Sequence, residues 1–139
     1  MARWLMTYLL TFAIFFALDF CWLTFTSQRL YAPVLGALMA PKFRVVPAVL
    51  FYLIYIGAMV WFAVRPGLHA GPRAAALNGA VFGLACYGTY DLTNQATLAQ
   101  WATQITVLDL IWGTSASALA AALASELAGR WLWPELRKS

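Results

Sequence analysis

Three carboxylates lie inside stretches that carry no other charge. Asp19 is the only charged residue between Arg3 and Arg29, and residues 45–64 hold none. Asp91 and Asp109 are the only charges between Arg73 and Glu126. Apolar runs of about 20 residues match a hydrocarbon core roughly 30 Å thick. A carboxylate in such a run costs about 2.5–3.5 kcal/mol even on a lenient insertion scale, so each one needs a reason.

With 63% apolar and 10% charged residues, the chain falls well outside soluble-domain composition. The expected fold is an all-α integral membrane protein. It is a single bundle of four transmembrane helices over residues 4–25, 45–64, 74–98 and 103–127, joined by short loops. A signal peptide is rejected for the first run: it is too long, carries an acid and lacks a small-x-small cleavage site. The segment 34–40, between Pro33 and Pro41, is too short to span and is expected along the interface, with Arg29 and Tyr31 as headgroup anchors. Arg65-Pro66-Gly67 is expected to stop the second helix. Cys21 and Cys86 read as small buried hydrophobes without a disulfide.

The net charge of +4 comes from cations in loops and at the ends, which excludes a nucleic-acid surface. With four spans, one side carries Arg3, Arg65, Arg73, Arg130, Arg137 and Lys138, and the other Arg29, Lys42 and Arg44. Six against three puts both termini in the cytoplasm of a multi-pass inner-membrane protein.

That topology puts all three Asp residues in the non-cytoplasmic half, each roughly 8–13 Å below the surface at 1.5 Å per residue. Tyr52 and Tyr55 fall at the same depth. Polar groups from four helices at one level point to a shared interior pocket. In hydrocarbon each acid must find donors or carry a proton. Tyr52, Tyr55, Tyr87, Tyr90, Asn94, Thr24 and Thr114 are the donors within reach.

Asp19 and Asp109 also share a pattern. Residues 18–27 and 108–117 both read L-D-x-x-W-x-T-x-x-S. The spacing puts Trp22 over the face of Asp19 and Trp112 over that of Asp109. On antiparallel helices the two indoles would floor and roof a site. Carboxylates, aromatic walls and no basic residue in the spans favour a proton, a cation or an amphipathic ligand over an anion. The plainer reading is a polar clamp that holds the helices in register, with the Trp residues as packing or belt aromatics.

Small residues mark two further faces: Ala75, Gly79 and Gly83 on the third run, and Gly113, Ser117, Ala121, Ser125 and Gly129 on the fourth. They suit close helix packing or a homodimer seam.

At residues 87–98, Tyr-Gly-Thr-Tyr-Asp-Leu-Thr-Asn-Gln-Ala-Thr-Leu, the chain resembles the small bacterial inner-membrane family named domain of unknown function 2177. Leu18-Asp19-x-x-Trp22, Phe51-Tyr52-x-x-Tyr55 and Asp109-x-x-Trp112-Gly113 are similar to its other marks. The resemblance implies a four-helix inner-membrane protein and brings no activity with it. Three functions stay open. One is a carrier or binding protein for a proton or a small cationic or lipid-like ligand, similar in size to small multidrug-resistance transporters, which use Glu where this chain has Asp. The others are an intramembrane enzyme on a lipid-soluble substrate, and an accessory or assembly protein. No cofactor is expected. A transition-metal site is disfavoured because no span holds a His.

Overall fold

The computed structural model describes residues 1–137, without the side chains of Ala37 and Arg137. Lys138, one of the cations weighed for orientation, lies outside the described residues. Four long helices account for the chain: α1 (Ala2–Leu35), α2 (Val45–Ala70), α3 (Pro72–Thr97) and α4 (Thr103–Trp131). A 3₁₀ turn, Pro134–Arg137, follows α4, and no strand occurs among the described residues. The fold is an all-α membrane bundle. By length and composition α1, α2 and α4 can cross a bilayer. The second half of α3 is rich in Tyr, Thr, Asn and Gln, which lowers its hydropathy.

Two helices outrun the segments expected from sequence, for one physical reason. Proline lacks an N–H, and its ring clashes with the carbonyl four residues back. In α1 a π-turn spans Ser27–Tyr31, with the N–H of Ala32 donating to the Ser27 carbonyl, and Pro33 follows. In α2 a π-turn spans Val60–Val64, with the N–H of Arg65 donating to the Val60 carbonyl, and Pro66 follows. Each wide turn absorbs the proline and lets the helix continue. The expected interfacial segment 34–40 is therefore partly the end of α1, and Arg65-Pro66-Gly67 is helical. The stop comes at Gly71, whose φ of +90° is open to glycine and strained for other residues.

α3 and α4 are the closest pair. A Cβ built on Gly79 would lie 2.5 Å from the Ser117 carbonyl oxygen, and one on Gly83 2.2 Å from that of Gly113. The two small-residue faces thus pack on each other within the chain, which is the close helix packing their spacing suits. Phe15, Ile56, Met59 and Val64 are fully buried around the Ala116–Ala120–Ala124 stripe of α4. Leu9, Phe20, Ile54, Val81 and Ile111 face outward, as a lipid solvent requires. Cys21 is also exposed rather than buried.

The chain ends meet. Trp133 packs against Trp4, ring centroids 4.6 Å apart and planes tilted by 44°, and donates its indole N–H to Thr7 Oγ1 at 3.1 Å, and Arg3 pairs with Glu135. α1 and α4 are therefore antiparallel, and the acid-bearing ends of both lie away from the termini.

Candidate functional site

The repeated L-D-x-x-W segments of α1 and α4 face each other and pair crosswise. Asp19, on α1, accepts a hydrogen bond from the Tyr52 hydroxyl of α2 and a long one, 3.5 Å, from the Trp112 indole of α4. Asp109, on α4, accepts from the Tyr31 hydroxyl, which itself accepts from the Trp22 indole at 3.0 Å. Both carboxylates are buried. The indoles do not enclose a guest as the sequence suggested. Trp22 and Trp112 stack on each other, centroids 4.6 Å apart and planes 5° from parallel, so each ring fills the space the other would have roofed.

Tyr31 is the residue that sequence reasoning missed. The sequence ends the first span at residue 25, which leaves Tyr31 in the following loop as a headgroup anchor. The π-turn carries α1 onward and brings its hydroxyl to Asp109. Its signal was present in the chain: a tyrosine nine residues beyond Trp22, on a helix that tolerates proline only with a widened turn.

The remaining expected donors divide. The Tyr55 hydroxyl is 2.7 Å from Ser117 Oγ, which donates to the Gly113 carbonyl at 2.6 Å. Tyr87 lies over Gly113, where a Cβ would meet its ring at 2.2 Å, and packs edge-on to Tyr55. Tyr90 is exposed and packs against Trp101. Asn94 is half-buried and joins none of these hydrogen bonds. Thr24 donates to the Phe20 carbonyl of its own helix, so it serves no acid.

Asp91 differs from the other two acids. It is fully buried, 0% exposed, and neither carboxylate oxygen has a hydrogen-bond partner among the described residues. It lies within electrostatic range of Asp109. Tyr87 and Tyr90, one turn and one residue before it, line a half-open cleft of about 400 Å³ together with Phe51, Tyr55, Cys86 and Asp109. That volume suits a small ligand. Among the described residues no three His, Cys, Asp or Glu side chains gather as a metal site would need.

The bundle and its interior acids define an α-helical membrane protein with an acid–aromatic cluster at one end. The family model described as "Predicted membrane protein (DUF2177)" matches residues 4–125, and the chain belongs to that family. No curated protein and no solved structure matches it significantly.

Proposed function

We propose that the chain is a four-span protein of the bacterial inner membrane, termini in the cytoplasm, that binds a lipid-soluble cation in the cleft beside Asp109 and gives up a proton as it does so. The observation that carries this reading is Asp91. A buried carboxylate with no donor is tolerable only as the neutral acid or opposite a cation. Asp19 is served by two donors and ties α1, α2 and α4 together, which is the polar-clamp role. Asp91 has no such service. No Lys or Arg lies between residues 73 and 130 to neutralise it or Asp109. A hydrophobic cation entering the cleft meets Tyr, Phe and Cys side chains that can lie against its apolar groups and a carboxylate that can balance its charge. The proton that leaves is the one on the carboxyl group the cation now faces.

Equilibrium binding of tetraphenylphosphonium to the purified protein in micelles tests the reading. Binding is expected to tighten from pH 5.5 to 8.5 with release of about one proton per probe. Asp109→Asn is expected to weaken it about tenfold or more, a change of roughly 1.4 kcal/mol, and Asp91→Asn to flatten the pH dependence. Near-UV circular dichroism of the tryptophans reports whether each variant keeps its fold. Wild-type-like binding in both variants with native spectra, or no binding by the wild type, would overturn the proposal.

A further inference from the structure

At the opposite end of the bundle, where the termini meet, the arginines are not treated alike. Arg3 pairs with Glu135, and Arg130 with Glu126 at 2.6 Å. Arg65 has no carboxylate partner among the described residues. Its guanidinium instead lies 4.5 Å from the centroid of Trp61 and 5.9 Å from that of Trp4. These three residues, with Tyr8, Gly57 and Val60, line a groove of about 370 Å³ between α1 and α2. The Tyr8 hydroxyl donates across the two helices to the Leu53 carbonyl at 3.1 Å.

We propose that this groove is a binding site for the headgroup of an anionic phospholipid, with Arg65 as the phosphate ligand. A guanidinium lying over indoles still has its edge donors free, and two of them match a phosphate in a fork. α1 and α2 are both apolar enough to span a bilayer, so the groove opens toward lipid rather than water. Trp4 and Trp61 are the residue type that settles at headgroup level. The apolar residues Leu5, Leu9 and Ile54 on the same two helices are exposed and offer a surface for acyl chains. Charge complementarity selects the occupant: the site supplies one unmatched cation, and an anionic headgroup completes it where a zwitterionic one brings its own ammonium. The site is separate from the acid cluster, and its test does not depend on cation binding.

Native mass spectrometry of the intact protein, released from micelles doped equally with phosphatidylglycerol and phosphatidylcholine of matched chains, reads the preference directly. Because phosphatidylcholine offers the same phosphate but brings its own ammonium, about tenfold selectivity for phosphatidylglycerol is expected, a difference of about 1.4 kcal/mol. Arg65→Gln is expected to abolish that selectivity and Arg65→Lys to keep part of it. Gly57→Leu, which fills the groove without touching the charge, is expected to lower phosphatidylglycerol retention. Arg73→Gln, an exposed arginine at the start of α3, is expected to change nothing. Equal retention of both lipids by the wild type overturns the proposal, as does selectivity that survives Arg65→Gln. Displacement of the lipid by an equal concentration of inorganic phosphate would mark a free-anion site and overturn it too.

Discussion

Gly83→Ala tests the close approach of α3 to α4, on which the position of Tyr55, Tyr87 and Ser117 depends. The added Cβ would sit 2.2 Å from the Gly113 carbonyl oxygen and 2.5 Å from Ser117 Oγ, where ordinary contact begins at 3.4 Å. The obstacle is helix backbone, so no rotamer relieves it, and the seam must open by about 1 Å. Overpacking of this kind costs about 1–3 kcal/mol. The Ser117 hydroxyl, which bonds both Gly113 and Tyr55, would lose one partner, worth roughly 0.5–1.5 kcal/mol. Gly88→Ala is the matched control on the same helix. Its Cβ would meet nothing closer than 3.9 Å. Both changes gain the same helix propensity, roughly 0.5–1 kcal/mol, which cancels in the comparison. Gly83→Ala should therefore be about 2–4 kcal/mol less stable than Gly88→Ala in reversible unfolding by SDS titration from mixed micelles. Variants that agree within about 0.5 kcal/mol would refute the close seam. Gly113→Ala is less diagnostic, because the obstacle there is the Tyr87 ring, a side chain that can move.

A double-mutant cycle of Tyr52→Phe and Asp19→Asn should return a coupling of about 1–3 kcal/mol in the same unfolding assay, and additivity would show that the two are not bonded. Tyr31→Phe strips Asp109 of its only hydrogen-bond donor among the described residues and Trp22 of its acceptor. It should cost about 1–3 kcal/mol, whereas a headgroup anchor would cost little. Glu135 is held below its usual value of 4.5 by its own backbone N–H and by Arg3. A depressed folded value means that its contribution is present above 4.5 and disappears as pH falls through the lower folded value. Wild type and Glu135→Gln should then differ in stability at neutral pH and converge in acid, while a gap that persists in acid would remove Glu135 from the tail contact.

The bundle was legible in the chain because charge-free runs bounded by arginines leave little choice of structure. So was the identity of the acids, since an Asp in such a run is conspicuous by its cost. Periodicity assigns a residue to a face of its own helix and is silent on which helix covers that face. Ala75, Gly79 and Gly83 and the Gly113–Ser117–Ala121 row were each recognisable as packing surfaces, but that they pack on each other was not. A proline pattern shows where a donor is missing and not whether a π-turn forms upstream, so Pro66 reads as a stop and Pro33 as the bracket of an interfacial segment. Tyr31 was lost with that reading. The stacking of Trp22 on Trp112 was hidden for a similar reason. Spacing put each indole over an acid of its own helix, while the contact that forms runs to the helix opposite.

The crosswise pairing follows from placing one short pattern on two antiparallel helices. The Trp112 indole reaches Asp19 on the helix opposite, the Trp22 indole reaches Asp109 only through Tyr31, and the two indoles stack with 5° between their planes. Each Asp then receives one tyrosine, Tyr52 for Asp19 and Tyr31 for Asp109, from outside the ten-residue repeat. The acids of the repeat are thus satisfied mainly by tyrosines outside it, and the stacked indoles hold α1 against α4. Asp91 has no counterpart in the repeat and no donor among the described residues. Under the proposed function, Asp109, inside the repeat, is the acid the cation faces, and Asp91 of α3, which does not line the cleft, sets how much charge lies behind it.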